Sequence, residues 1–327
     1  MVPTSDALLA QIEQTLASLP LSGTPDELYA PMRYILALGG KRFRPLLTVL
    51  SGGLFGAAPE AVLHAAAAVE AFHNFTLMHD DIMDQAPLRR GKPTVHMAWD
   101  TPTAILAGDG MLVKCYEILL DAVPAAMLPE VLAAFNRCAL EVVEGQQLDM
   151  NFEAQGQVAE AAYLEMIRLK TAVLVGFALW IGARLAGASP AQAAQLRQAG
   201  EQMGLGFQLY DDYLDTFGDP ALTGKQPGGD ILANKKTWLL IYTQAHLPAT
   251  AQAELAQWLA VADSAQGSAK VAAVSALMRQ AGADEACRTL SERYYAEGLA
   301  LLQTLGTQAA YRQAIEQLAA RLMRRQS

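Results

Sequence analysis

The chain has 327 residues, of which 52% are hydrophobic and only 17% charged, with a formal net charge of -9. That length can bury a substantial core, and the acidic balance excludes a general nucleic-acid binder and a basic membrane-surface protein. Cys115, Cys138 and Cys287 lie far apart with no CxxC pair. This excludes a disulfide framework and a thiolate zinc site and fits a reducing, cytoplasmic setting.

The opening residues, MVPTSDALLAQIEQ, lack a basic segment followed by a long apolar run, so they predict an amphipathic helix rather than a signal peptide. From there apolar residues recur at spacings of three and four, without a run of alternating β-branched residues, and the pattern predicts an all-α chain. Clusters of Gly, Pro or Asp break it at Pro20 to Pro25, Gly52 to Pro59, Gln85 to Pro93, Val123 to Pro129, Gly187 to Pro190 and Gly218 to Gly229. These breaks leave about ten helices of ordinary or somewhat long length. None is long or polar enough for an interdomain linker, and no solenoid-type repeat occurs, so residues 1–327 are expected to form a single domain. The most apolar window, Ala172 to Ala183, falls short of the about 20 residues that a membrane span needs.

One string occurs twice. Asp80-Asp81-Ile82-Met83-Asp84 and Asp211-Asp212-Tyr213-Leu214-Asp215 both follow strongly apolar segments. A helix turns about 100° per residue, so the first and last aspartates of each string lie roughly 40° apart on one face and can share an ion. The first stripe continues upstream through Leu77, His73 and Glu70, and the second through Gln208 and Gly204. Crowding carboxylates onto apolar helices is unfavourable unless cations lie between them. An all-oxygen donor set at this density suits magnesium, which shares itself with phosphate groups. A single string of this kind is most simply a solvated helix end; the repetition after two apolar segments favours a metal role.

Cations stand beside both strings, as an anionic ligand would require. Gly39-Gly40-Lys41-Arg42-Phe43-Arg44-Pro45 packs three of them into a Gly-rich stretch, and Arg89, Arg90 and Lys92 follow the first string directly. Lys170-Thr171 precedes an apolar helix, and Lys225, Lys235 and Lys236 follow the second string. For Arg42, Lys92 and Lys236 a plain surface charge is as good a reading as ligand contact, and a lone histidine such as His73 is commonly a satisfied core residue.

Taken in order, GGKRFRP, HNFTLMHDDIMD with RRGKPTVH, EGQQLD, the Lys170-Thr171 pair, FQLYDDYLD and GDILANKKT resemble the trans-isoprenyl diphosphate synthase (polyprenyl synthetase) family, from about Leu28 to Trp238. The resemblance implies antiparallel helices around a deep central cavity, with both strings at its mouth. It implies a prenyltransferase that joins isopentenyl diphosphate to an allylic diphosphate by ionisation, condensation and elimination. Asp80, Asp84 and Asp211 would hold magnesium, three ions per site, with Asp81 and Asp215 nearby. Arg89, Lys170, Thr171, Gln208, Lys225 and Lys235 would contact the allylic diphosphate, and Lys41, Arg44, His73 and Arg90 the isopentenyl diphosphate. A homodimer follows from the resemblance alone.

In the resembled family the residues just before the first string limit product length. Here they are Phe75 and Thr76, a bulky and a small residue, which resemble synthases of intermediate products, twenty-carbon geranylgeranyl rather than fifteen-carbon farnesyl diphosphate. Phe75 also reads as ordinary core packing. The first string lacks the two-residue insertion of bacterial farnesyl synthases. The terminal Arg324 and Arg325 resemble a basic tail that helps close some sites in the family, but with Gln326 and Ser327 after them they read better as a frayed end. A class I terpene cyclase or a non-catalytic subunit of a heteromeric synthase would share the fold. Intact aspartates in both strings and the retained GGKRFRP speak against both.

Overall fold

A computed structural model describes residues 4–219, 228–261, 264–305 and 308–324. Helix makes up 79% of it, and among the described residues the only strands are two pairs of residues, Leu88–Arg89 and Lys92–Pro93. The all-α expectation holds. The chain falls into two compact units. One comprises Met1–Arg137, Phe177–Arg197 and Leu305–Ile315, the other Cys138–Gly176, Gln198–Thr304 and Glu316–Ser327.

The first unit contains α1 (Ser5–Ala17), α2 (Asp26–Ala37), α3 (Phe43–Leu54), α4 (Leu63–Met83), the β1–β2 hairpin (Leu88–Arg89 with Lys92–Pro93), α5 (Val95–Ala98) and α6 (Thr101–Ala122). Its central element is α4, apolar on every side from Ala65 to Val69 and buried there throughout, the pattern of a helix surrounded by others. Runs of alanine let α1, α3 and α6 pack closely against it. An aromatic cluster fills the space beyond: Phe72 meets Phe75 at 5.6 Å and Phe135 at 5.3 Å, and Phe135 meets Phe177 at 5.8 Å between ring centroids. Helix α6 starts cleanly because Asp100 accepts a hydrogen bond from the Thr103 N–H at 2.7 Å, with Pro102 in the first turn.

Helix α7 (Leu128–Glu153) ends in the second unit. That unit also holds α8 (Glu160–Ile167), a π-helical turn at Arg168–Ala172 that leads into α9 (Val173–Leu185), and most of α10 (Pro190–Phe217). Short α11 (Gly229–Leu232) follows, then α12 (Trp238–His246), α13 (Ala249–Leu259), α14 (Gly267–Gln280), α15 (Ala283–Gln303) and α16 (Ala309–Arg324). Its core gathers Tyr163, Met166, Leu205, Leu209, Trp238, Leu240, Val274 and Cys287. All three cysteines are buried thiols.

The six expected breaks separate helices, except where 220–227 lie outside the described residues. Further breaks lie outside these six, among them those at 38–42 and 154–159. The apolar window before residue 183 is also longer than expected. With α8 and the π turn included, Glu160–Leu185 is 26 residues long and contains an 18-residue window with a mean hydropathy of 1.6, enough by length and composition to cross a membrane, but 83% of that window is buried in the protein. A helix covered by its own chain meets the description of a core element.

Candidate active site

In the first unit the Asp80 string forms the last turn of α4, with Asp84 as its C-cap. The second aspartate differs from its neighbours. Asp81 is 2% exposed and receives three hydrogen bonds from Arg89, at 3.0 and 2.8 Å from Nε and 2.7 Å from Nη2. Asp80 is half-buried and Asp84 exposed. Burial works against the Arg89 charge, but Asp81, Asp80 and Asp84 together hold its pKa above the ordinary value.

Arg89 and Arg90 sit on the hairpin. Arg90 (φ 54) and Gly91 (φ 74) are its two central residues, both left-handed as a type I′ turn requires. An arginine in that conformation is uncommon and is held by its surroundings. Its Nη1 donates to the Gly39 carbonyl oxygen, while Tyr34 anchors the hairpin by donating to the Pro93 carbonyl at 2.7 Å.

The GGKRFRP stretch leads into α3. Lys41 is exposed and Arg44 half-buried, and Arg44 Nη1 lies 3.2 Å from His73 Nε2. A guanidinium has only donors, so His73 accepts there and carries its proton on Nδ1. Burial, then the charges of Arg44, Arg90, Arg89 and Arg42, push the His73 pKa well below its usual value, so the ring is neutral. The expected α4 stripe is real at this end, since Glu70 and His73 both face this stretch. Arg42, however, is neither a surface charge nor turned outward: it is 3% exposed and paired with Glu70 at 2.7 Å and Glu13 at 2.8 Å. Lys92 is exposed, as a plain surface charge would be.

Phe75 is 7% exposed, its ring 4.9 Å from that of His79 between centroids in an edge-on arrangement. Thr76 is half-buried and donates to the His73 carbonyl at 2.8 Å. Phe75 therefore belongs to the aromatic cluster of the first unit.

In the second unit the Asp211 string lies in the last two turns of α10, which runs on to Phe217. Again the second aspartate turns inward. Asp212 is 3% exposed, accepts from the Tyr163 hydroxyl, and accepts from Gln208 Nε2 at 3.1 Å. Gln208 in turn accepts from the Thr171 hydroxyl at 3.1 Å. Burial, then Asp230, pushes the Asp212 pKa up to about 7 against the opposing effects of Tyr163, Lys235 and Gln208. Asp211 and Asp215 are half-buried. Asp215 accepts from the Asp230 N–H at 2.9 Å, which ties the string to GDILANKKT.

Lys170 and Thr171 lie in the π-helical turn, a distortion often found at functional positions. Lys170 pairs with Asp149 of the EGQQLD segment at 2.5 Å. The approach of α7 to this turn requires glycine: a Cβ on Gly145 would lie 2.2 Å from the Lys170 nitrogen. Lys235 is half-buried, and its charge acts on Asp212. Lys225 lies outside the described residues.

The Asp80 string and Asp215 stand in the last turns of their helices, where the backbone dipole already disfavours negative charge. Among the described residues no three His, Cys, Asp or Glu side chains gather into a ready metal cluster. The donors are nonetheless all carboxylate oxygens, half-buried or exposed, as suits an ion that retains water and takes its remaining ligands from a substrate.

A family profile described as Polyprenyl synthetase matches residues 25–278. The chain belongs to the polyprenyl synthetase family. It is 44% identical over 219 residues to the geranylgeranyl diphosphate synthase of Methanosarcina mazei, an alignment covering 66% of this chain and 67% of that one. A crystal structure of a geranylgeranyl pyrophosphate synthase matches it with a TM-score of 0.94 and 41% identity over 100% of both chains. Another, the geranylgeranyl pyrophosphate synthase of Corynebacterium glutamicum complexed with isoprenyl diphosphate and magnesium, matches with a TM-score of 0.84 and 30% identity over 98% of each chain. Like other polyprenyl synthetases, the chain is a trans-prenyltransferase, of a family that binds isoprenoid diphosphates and depends on magnesium.

The sequence singles out the aspartates and the cations beside them but not their partners Asp149, Tyr163 and Glu13. Asp149 is the last residue of EGQQLD, yet nothing in the spacing pairs it with Lys170. Tyr163 carried no signal.

Proposed function

We infer that the chain condenses isopentenyl diphosphate with an allylic diphosphate and releases geranylgeranyl diphosphate. One observation carries the reading. In both aspartate strings the second residue is committed inward, Asp81 to Arg89 and Asp212 to Tyr163 and Gln208, while the first and fifth are more exposed. A solvated helix end has no reason to repeat that division. Asp80, Asp84 and Asp211 hold magnesium, three ions per site, with Asp81 and Asp215 in support.

When bound, magnesium supplies positive charge to the diphosphate that leaves the allylic carbon. Arg89, Lys170, Thr171, Gln208, Lys225 and Lys235 bind that diphosphate and stabilise its growing negative charge more in the transition state than before it. Lys41, Arg44, His73 and Arg90 hold isopentenyl diphosphate, with neutral His73 as a hydrogen-bonding rather than a charged partner. The proton released after condensation passes to the departed diphosphate, so no side-chain nucleophile is required. Phe75, backed by Phe72 and the aromatic cluster, limits the growing hydrocarbon, with Thr76 beside it.

Residues 1–327 act as one catalytic domain in the cytoplasm, a setting that three buried thiols fit. The chain acts as a homodimer: Leu106, Val113 and Leu120 are more than half exposed at seven-residue intervals along α6, the spacing of a helix-packing seam. Light scattering should give twice the chain mass.

The deciding experiment offers dimethylallyl, geranyl and farnesyl diphosphates as primers with isopentenyl diphosphate and magnesium, and identifies products by mass. Twenty-carbon diphosphate from all three primers, stopped by chelation with far-UV circular dichroism unchanged, is the expected result. Cyclic hydrocarbon from a primer alone would overturn the reading.

A further inference from the structure

Between Lys41 and Arg44 the chain makes two unfavourable choices at one residue. Arg42 adopts a left-handed backbone, φ 44, although it is not glycine, and it buries a guanidinium to 3% exposure. Left-handed backbone is disfavoured for residues with a Cβ. A buried ion pair is often no more stable than an apolar pair of the same size. Stability alone therefore does not account for Arg42.

Its contacts suggest what does. Nη1 donates to Glu70 Oε1 on α4 at 2.7 Å. Nε and Nη2 donate to the two oxygens of Glu13 on α1 at 2.8 and 3.3 Å. Nη2 also donates to the Leu36 carbonyl on α2 at 2.6 Å. Glu70 is itself steadied by Asn74 Nδ2 at 3.2 Å. One side chain thus fastens the 38–42 segment to three helices. The same segment presents exposed Lys41, leads to Arg44 beside His73, and gives its Gly39 carbonyl to Arg90. The four groups assigned to isopentenyl diphosphate all converge on the backbone that Arg42 holds.

We propose that Arg42 is a positioning residue for the isopentenyl diphosphate subsite, fixing the backbone of Lys41 and Arg44 through Glu70, Glu13 and Leu36 without touching substrate. The proposal rests on the assignment of that subsite given above. With four donor contacts made inside the protein, the guanidinium is spent on its own chain. A lysine has the charge but not the planar fork that reaches three partners at once.

The test measures steady-state kinetics for each substrate in four proteins: wild type, Arg42→Met with Glu70→Leu, Glu13→Gln, and Arg44→Ala. The double variant replaces a buried ion pair with apolar side chains, so its unfolding midpoint is expected to stay near wild type. Its KM for isopentenyl diphosphate should rise about tenfold, equivalent to about 1.4 kcal/mol. Its kcat and its KM for the allylic substrate should stay within about twofold, a split that general destabilisation would not produce. Glu13→Gln keeps the fold, because Glu13 is 45% exposed, and should raise the same KM by about two- to fivefold. Should the double variant fail to fold, Glu13→Gln alone decides. An unchanged KM for isopentenyl diphosphate in folded variants, beside a raised one in Arg44→Ala, overturns the proposal and leaves the subsite standing. An unchanged KM in Arg44→Ala as well removes the subsite assignment itself.

Discussion

Adjacent aspartates on α4 should answer the same substitution in opposite ways. Asp81→Asn removes a charge that is 2% exposed and engaged by three hydrogen bonds from an Arg89 whose side chain is 24% exposed. Hydrogen bonds to charged groups contribute about 1.5–3 kcal/mol each, and breaking a fully buried pair costs about 3–5 kcal/mol. Asparagine keeps one acceptor and Arg89 is partly solvated, so the expected loss is about 2–3 kcal/mol. Asp80→Asn instead removes charge from a half-buried carboxylate at a helix C-terminus, where the dipole opposes it. Stability should hold or rise slightly, while kcat falls by about a hundredfold to a thousandfold, as when one preorganised charge-stabilising group is lost. Urea denaturation followed by circular dichroism, beside turnover with magnesium, separates the two. An Asp81→Asn variant as stable as wild type, or an Asp80→Asn variant that loses stability but keeps turnover, would refute the division between inward and outward aspartates.

Three further outcomes follow from the same geometry. The folded-state pKa of His73 lies well below its unfolded value, so between those values the unfolded chain binds more protons. Stability is then complete above about pH 6.5 and falls by about 1.4 kcal/mol per pH unit below it until the folded pKa is reached; a His73→Gln variant should lack that slope in denaturation series at pH 7 and pH 5. Phe75→Ala opens a cavity against Phe72, costing about 3–5 kcal/mol of stability, and should shift product masses to longer prenyl chains. Tyr163→Phe leaves buried Asp212 with one partner fewer at a cost of about 1.5–3 kcal/mol, and should raise the KM for the allylic substrate through Gln208 and Thr171 while sparing that for isopentenyl diphosphate.

Much of this was legible before any coordinates because the signals are local. The aspartate strings, the stripe through Glu70 and His73, and the Gly and Pro breaks are all spaced within a few turns of one helix, where period alone decides what shares a face. The partners of those residues are another matter. From sequence Arg42 fits a surface charge as well as a ligand contact, and only Glu13 and Glu70, closing on it from two helices, show it to be buried and paired. Lys170 meets Asp149 across 21 positions and Asp212 meets Tyr163 across 49, separations at which a single sequence carries no pairing information. The hairpin was hidden because it is two residues on a side, too short for alternation to show, although Arg90-Gly91 between short extended pairs hinted at it.

The π-helical turn at Arg168–Ala172 amounts to one surplus residue wound into an otherwise continuous helical run. Removing a single residue there would let the run relax to regular pitch, so the deletion should be mild for folding. It would also swing Lys170 by about 100° relative to Asp149, and Thr171 away from Gln208. A shortened gene of this kind should encode a well-folded protein with Lys170 and Thr171 out of phase with Asp149 and Gln208, which gives a simple route from a working synthase to an inert relative.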